Sequence, residues 1–151
     1  MMVGNGGHAK VLRDFVDDWN GAIVAVGDNR SRKCEVERLK KEEWRFAPAQ
    51  IHPRAYVARD VVIGEGTVVM AGAVIQPGAR IGRHCIVNTC ASVDHDCLVK
   101  DYAHIAPGAH LCGNVHVGEG ALIGVGVGVA PGARIPAWSL VKARRLEIEP
   151  L

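Results

Sequence analysis

An aliphatic residue recurs at every sixth position from Ile51 to Val141. The sixteen members of this series are Ile51, Val57, Ile63, Val69, Ile75, Ile81, Val87, Val93, Val99, Ile105, Leu111, Val117, Ile123, Val129, Ile135 and Val141. A helix has no six-residue period, whereas a strand alternates its side chains and needs a corner before it can fold back. The unbroken period therefore predicts short strands joined by corners in a repeat architecture.

Two further positions of each hexad support this interpretation. The fifth position is mostly small, and Cys85 and Cys97 fall there, so we expect both thiols in the core. Pro-Gly pairs recur at the third and fourth positions, as in Pro77-Gly78, and suit a turn that needs a fixed φ followed by a positive one. Three hexads close one triangular coil, so the pattern predicts a mainly β protein, a hexapeptide β-helix of just over five coils.

The first third of the chain follows different rules. The spacing of Val11, Leu12, Phe15, Val16 and Trp19 predicts an amphipathic helix of about three turns that ends near Asn20-Gly21. A β-rich segment, residues 22–26, and a charged second helix, residues 31–43 with Val36 and Leu39 facing inward, follow. We therefore expect a small α/β subdomain over residues 1–48, the β-helix over 49–146 and a C-terminal tail over 147–151.

Composition narrows the possible functions of the 151 residues. The net charge is only +2 and aromatic residues make up 5%, so no basic and aromatic stripe favours nucleic acid. No apolar segment resembles a signal peptide or a membrane span, so the expected location is the cytoplasm and no membrane partner is expected. Five cysteines without a C-x-x-C spacing argue against a disulfide framework and a zinc knuckle.

The densest polar stretch inside the repeat runs from Asn88 to Asp96. Val93 fixes the register, so His95 and Asp96 occupy the two corner positions and point outward. A histidine beside a carboxylate on a rigid corner suits a general base near neutral pH, although a lone exposed histidine more often has no function. Asn88 and His104 also depart from the plain repeat nearby.

Two other features allow alternative interpretations. His104, His110 and His116 share one hexad position, but six residues is one side of the triangle, so they face three directions and we expect no metal site. The loop from Gly4 to His8 precedes a helix and could hold a phosphate on backbone N–H groups, or could simply be a flexible start with a helix cap.

In combination, these motifs resemble the bacterial hexapeptide-repeat sugar acetyltransferases, which include UDP-4-amino-sugar and perosamine N-acetyltransferases and sialic acid O-acetyltransferases. The resemblance covers most of the chain. The segments that support it are Gly4 to Lys10, Val26 to Asn29 with Arg32, Ile51 to Pro53, Asn88 to Asp96, His104 to Ala109 and Cys112 to Val115.

The resemblance implies a left-handed parallel β-helix, a homotrimer with active sites between subunits, acetyl-CoA as the donor and a nucleotide-linked amino sugar as the acceptor. It implies His95 as general base, Asp96 as its orienting partner and the Gly113 N–H as donor to the thioester oxygen. It also implies that His104 contacts acetyl-CoA or the acceptor. The substrate-binding residues that it implies are Gly6, Gly7, His8, Asp28 and Asn88.

Two departures from the family pattern keep alternatives open. The family's N-terminal domain normally has another strand that ends in an acidic pair, and its last coil carries a Gly-Val-Pro-Ala signature; this sequence shows neither. The leading hypothesis is an N-acetyltransferase in surface-polysaccharide biosynthesis that works by direct attack. The alternatives are a sugar O-acetyltransferase and a β-helix that binds its ligands without catalysis.

Overall fold

A computed structural model describes residues 1–16 and 21–142. The order of elements begins with a small α/β subdomain: β1 (Met2–Val3), α1 (Gly7–Arg13), β2 (Ile23–Val24) and α2 (Asn29–Lys41). Strands β1 and β2 pair in parallel, with Met2 opposite Ile23. Of these elements, β1 is shorter than sequence patterns can detect, because two residues show no alternation.

The remaining described residues form sixteen strands of two residues each, arranged as three parallel sheets around one axis. The first face contains β3 (Gln50–Ile51), β6 (Val68–Val69), β9 (Ile86–Val87), β12 (His104–Ile105), β15 (Leu122–Ile123) and β18 (Leu140–Val141). The second face contains β4 (Tyr56–Val57), β7 (Val74–Ile75), β10 (Ser92–Val93), β13 (His110–Leu111) and β16 (Gly128–Val129). The third face contains β5 (Val62–Ile63), β8 (Arg80–Ile81), β11 (Leu98–Val99), β14 (His116–Val117) and β17 (Arg134–Ile135).

Each strand pairs with the strand eighteen residues further along, as Val93 does with Leu111, so three hexads make one coil. The aliphatic series points inward: Ile75, Val93 and Ile105 have no exposed surface. Cys85 and Cys97 are each 1% exposed, as predicted for core thiols. The fold is the predicted left-handed parallel β-helix, and burial of its aliphatic column stabilises it by roughly 1.5–3 kcal/mol for each fully buried side chain.

Three rows of corners connect the faces. The first corner joins the first face to the second, the second corner joins the second face to the third, and the third corner leads back to the first face. The fourth hexad position has a positive φ, which the Pro-Gly pairs supply through Gly78 at +76° and Gly108 at +63°. Asp96 adopts the same conformation at +58°, although it has a side chain.

The predicted first helix was longer than the observed helix α1. Within the described residues α1 has seven residues and ends at Arg13, about two turns. Leu12 and Val16 are buried as expected, but Val11 is 45% exposed, so the apolar face is narrower than the spacing suggested. Trp19 and the expected end at Asn20 lie outside the described residues. The second helix agrees with prediction, and Val36 and Leu39 are fully buried.

The subdomain packs on the first face of the β-helix. Ala9, Leu12 and Ile23 form a buried cluster with Met70 and Ile86, which point outward from that face. This packing covers the first face around β6 and β9 and places the start of α1 next to His104.

The buried side chain of Arg32 forms hydrogen bonds with both the subdomain and the β-helix. The Arg32 guanidinium donates to the carbonyls of His84 (2.9 Å) and Tyr102 (2.7 Å) on the third corner. It also donates to the carbonyls of Val26 and Gly27 and to Asn29 Oδ1 on the subdomain side. Burial lowers the pKa of Arg32 to about 10, so the group stays charged at neutral pH. The guanidinium thus fixes the loop after β2 to the coil.

Candidate active site

His95 and Asp96 lie on the second corner and point outward, as predicted. His95 Nδ1 lies 2.9 Å from Asp96 Oδ2, and the two side chains are 55% and 61% exposed. The hydrogen bond to Asp96, followed by the charges of Asp94 and Asp96, raises the pKa of His95 above its ordinary value. With Nδ1–H donating to the carboxylate, Nε2 retains a free lone pair. The pair therefore has the arrangement of a general base.

Gly113 lies one coil further along the same corner, beneath the imidazole of His95. The Asn114 N–H donates to the His95 carbonyl at 3.0 Å, which joins the two turns. A Cβ on Gly113 would lie 2.5 Å from both Cε1 and Nε2 of His95, so a larger residue there would displace the imidazole. The structure thus brings His95, Asp96 and Gly113 together, because the eighteen residues from His95 to Gly113 make one coil.

The Gly113 N–H differs from its equivalents at Thr89 and His95. The Thr89 N–H donates to Asn88 Oδ1, and the His95 N–H donates to Asp94 Oδ1, both at 2.8 Å. Cys112 precedes Gly113 and offers no such acceptor. Within residues 1–16 and 21–142, the Gly113 N–H donates to no acceptor. It is therefore available to an oxygen of a bound ligand.

A second polar group lies where α1 meets the first face. Asn88 Nδ2 lies 3.0 Å from His104 Nε2, and the rings of His8 and His104 are 6.0 Å apart. Burial, followed by the charge of Arg32, lowers the pKa of His8 to about 4. Burial also lowers the pKa of His104 to about 3, aided by Arg32 and His8, while a backbone hydrogen bond with Gly27 opposes the shift. Both rings are therefore neutral at pH 7 and suit hydrogen bonding to a ligand.

His8 Nε2 is buried and has no hydrogen-bond partner among the described residues. Gly6 forms the N-cap of α1 without a side-chain cap, and no atom comes within 4 Å of a Cβ built on Gly6 or Gly7. The structure therefore brings His8 next to His104, which contacts Asn88, and leaves open space around Gly6 and Gly7. An unpaired buried nitrogen is costly, so a polar ligand group at this position would stabilise the site.

Asp28 has a visible structural role. Its carboxylate caps α2 by accepting from the Ser31 N–H at 2.8 Å, and this hydrogen bond is the main cause that lowers the pKa of Asp28. The side chain is exposed, one residue after Gly27. Capping explains the residue without a ligand, so a substrate contact by Asp28 stays a prediction.

The two polar groups lie on opposite sides of the coil. His95, Asp96 and Gly113 occupy the corner between the second and third faces, and that corner is opposite the first face, where His104 lies on β12 and Asn88 directly follows β9. The filled aliphatic core lies between them. One chain therefore does not bring the predicted catalytic residues and the predicted binding residues together.

The remaining predictions concern three further histidines, metal binding and membrane spans. His104, His110 and His116 lie on the first, second and third faces respectively, as the hexad argument required. In the described ranges, no three metal-binding side chains are grouped to hold an ion. Over the same ranges, no helix has the length and apolar character needed to cross a membrane.

Sequence reasoning missed the joining role of Arg32 and Asn29. Asn29 Nδ2 donates to the Gly120 carbonyl at 3.1 Å, ninety-one residues away, and Arg32 reaches seventy residues to Tyr102. The sequence analysis placed Arg32 in a charged helix and named only Val36 and Leu39 as facing inward. The available signal was its position four residues before Val36, because that spacing puts both residues on the same inward-facing side of the helix.

Comparisons with known proteins identify similar sequences and structures. Residues 60–95 match the family model described as bacterial transferase hexapeptide (six repeats). The chain is 35% identical to GDP-perosamine N-acetyltransferase of Escherichia coli O157:H7, over 54% of this chain and 37% of that protein. It is 39% identical to UDP-N-acetylbacillosamine N-acetyltransferase of Bacillus subtilis, over 46% of this chain and 50% of that protein. The chain thus spans half or less of the length of these curated relatives.

Solved structures match over a larger share. The acetyltransferase domain of PglB from Neisseria gonorrhoeae, in complex with acetyl coenzyme A, is 31% identical, with a TM-score of 0.82 and 94% of both chains covered. PerB from Caulobacter crescentus, in complex with CoA and GDP-perosamine, is 35% identical, with a TM-score of 0.84, over 94% of this chain and 84% of that one. The chain belongs to the bacterial hexapeptide-repeat sugar acetyltransferase family.

Proposed function

We propose that this chain is an acetyl-CoA-dependent N-acetyltransferase that acts on a nucleotide-linked amino sugar. The main observation is the arrangement at the second corner. There His95 has a free Nε2 and a carboxylate partner, Asp96, and its ring lies next to Gly113, whose N–H is free. The relatives support the choice of substrates, because two are named as N-acetyltransferases of amino sugars and two solved structures contain acetyl-CoA, or CoA with GDP-perosamine.

The geometry supports direct transfer without an acyl-enzyme. The acceptor amine attacks the acetyl carbonyl carbon, and His95 Nε2 accepts the proton that the amine loses. The carbonyl oxygen becomes an oxyanion next to the Gly113 N–H, a contact of a kind worth about 2.7–4 kcal/mol when it is preorganised. The C–S bond then breaks, and the imidazolium returns a proton to the CoA sulfur. Asp96 holds the ring and stabilises its charged form.

The second polar group supplies binding for the acceptor or the donor. Neutral His104 and Asn88 can hydrogen-bond sugar hydroxyls or the acyl carbonyl, and the unpaired His8 Nε2 can contact a phosphate or sugar oxygen. Gly6 and Gly7 directly precede His8, and we propose that their N–H groups contact the phosphates. We assign these residues to the nucleotide sugar, with His104 placed to contact acetyl-CoA as well.

A complete site requires a second copy of the chain. Because the second corner and the first face point away from each other, His95 of one copy must meet Asn88 and His104 of the next. Head-to-tail contacts of this kind close into a ring when the rotation fits, and three copies give a homotrimer with three equivalent sites. We further propose that the reaction takes place in the cytoplasm.

The direct test measures release of CoA thiol from acetyl-CoA with UDP- and GDP-4-amino sugars as acceptors. We expect His95→Ala to lower kcat by about 10²–10⁴-fold, the usual contribution of a positioned general base. His110→Ala is the matched control, because His110 is also exposed but lies on the second face, bonded to Ser92. An active wild-type enzyme whose His95→Ala variant keeps full rate would refute the mechanism, and a product labile to mild base would indicate O-acetylation.

A further inference from the structure

A basic groove lies outside the proposed active site. It has a volume of about 540 Å³ and runs between α2 and the third corner. Its lining, which we call the α2 groove, consists of Arg30, Lys33, Cys34, Glu37, Arg38, Lys41 and Trp138. Sites for small molecules usually have volumes of about 300–1,000 Å³, so the groove is large enough for one.

The groove is a product of how α2 packs. Arg32, Val36 and Leu39 face the protein interior and are buried. The groove residues occur at steps of three and four along the helix, so they form a separate stripe on one side. Trp138 forms the opposite wall, and Gly120 lets its ring lie against the coil, because a Cβ there would collide with the indole.

More cations than carboxylates line the groove. Four of its side chains are cations and Glu37 is its one carboxylate. Glu37 already accepts from Lys40 at 2.8 Å and from the Tyr102 hydroxyl at 3.2 Å. Lys33 pairs with Glu119 at 2.6 Å, and Arg38 pairs with Glu35 and Glu42.

Arg30 and Lys41 pair with no carboxylate in the part of the chain that the structure describes. They lie at the two ends of the groove, about 16 Å apart at 1.5 Å per helical residue. Lys41 is at the C-terminal end of α2, where a cation is favourable in any case. Arg30 is near the N-terminal end, where the helix dipole disfavours a cation and favours an anion.

The aromatic wall gives the groove a second property. Arg30 Cζ lies 5.0 Å and Lys33 Nζ 5.1 Å from the centre of the Trp138 ring. Both distances are typical of cation–π contacts. A guanidinium stacked on an indole can still donate in its own plane to an anion, and the half-buried indole edge offers apolar surface to a planar ring. The groove therefore combines sites for an aromatic ring and for several negative charges.

We propose that the α2 groove is a second ligand site, for a nucleoside phosphate whose base packs against Trp138 and whose phosphates contact the lysines of α2. The spread of the lining residues along α2 and the separated cations favour such a ligand over a single small anion. The third corner is distinct from the second corner, where His95 and Gly113 lie, and the groove contains neither Asn88 nor His104. Binding here does not depend on the proposed transferase reaction.

The test is calorimetric titration of the full chain with ADP, repeated in saturating acetyl-CoA and acceptor sugar. We expect one ADP per chain, retained in the presence of both substrates and weakened as salt increases. Lys41→Glu and Trp138→Leu should each weaken binding by about tenfold through lost charge or lost stacking. Arg59→Glu is the matched control, because Arg59 is exposed on the second corner of the first coil and should leave ADP binding unchanged.

Other outcomes would overturn the proposal. Absence of ADP binding, or affinity unchanged in both groove variants, would show that the groove holds no nucleotide. Loss of ADP binding on addition of acetyl-CoA would assign ADP to the donor site instead. Binding of a poly-glutamate peptide that Lys41→Glu abolishes, without ADP binding, would identify an acidic protein partner. Lys41 is exposed at the end of its helix, so its variant tests the proposal even if Trp138→Leu folds poorly.

Discussion

The backbone of Asp96 explains how a corner residue orients the proposed base. At a φ of +58°, the chain turns so that the carboxylate points back at His95 Nδ1, 2.9 Å away. Asparagine adopts this backbone conformation as readily as aspartate does. Asp96→Asn therefore removes the negative charge while keeping the corner, which allows the carboxylate's electrostatic effect to be measured separately from the fold.

Asp96→Asn should change the pH dependence of the reaction. The base must be neutral, so kcat/KM rises with pH through the pKa of His95, which Asp96 holds above its ordinary value. In the variant this pKa falls and the acid limb moves to lower pH, while the plateau falls about 10–100-fold because the base is weaker and less well oriented. The measurement is kcat/KM from pH 5 to 9, and an acid limb at the wild-type pH would contradict the role of Asp96.

Gly113→Ala tests the contact between the two turns of the second corner. The variant keeps the backbone N–H, but its Cβ would lie 2.5 Å from the His95 ring and must displace it. We expect kcat to fall about 10²-fold, because a shift of about 1 Å in a catalytic group costs that much. Gly128→Ala, also without a positive φ and with no atom within 4 Å of the added Cβ, is the control for the added methyl group alone. Equal rates in both variants would show that the His95 position is unaffected.

At the level of elements, the strict period of six predicted the β-helix because each aliphatic residue occupies the same inward position in successive strands. The length of α1 was not predictable in the same way, since Val11 fits a helical face in sequence but faces solvent in the fold. The corner positions of His95 and Asp96 followed from the register. The contacts of Arg32 did not, because its coil partners are 52 and 70 residues away and are backbone carbonyls that any residue could provide.

Arg32→Met should loosen the attachment of the subdomain to the coil. The variant keeps an apolar stem but leaves five oxygen acceptors without their donor. Each unsatisfied buried group costs about 1–3 kcal/mol, offset by relief of a buried charge, so we expect unfolding to become easier by about 2–4 kcal/mol. Urea denaturation measures this change. Arg38→Met, on the exposed side of the same helix, should change stability by less than about 1 kcal/mol, and a similar loss in both variants would rule out the proposed joining role.

At the level of the whole molecule, the position of the two polar groups on opposite sides of the coil makes a prediction about mixed assemblies. His95→Ala disables the corner of a chain and leaves its first face intact, and His104→Ala does the reverse. A mixed trimer, whether two copies of one variant or two of the other, contains one junction in which an intact corner meets an intact face. If the proposed homotrimer forms, mixed trimers purified through two different tags should therefore regain about one third of the wild-type rate, although each variant alone is strongly impaired. If each chain held a complete site, mixing would restore no activity, and sedimentation of the wild type as a monomer would exclude the shared site directly.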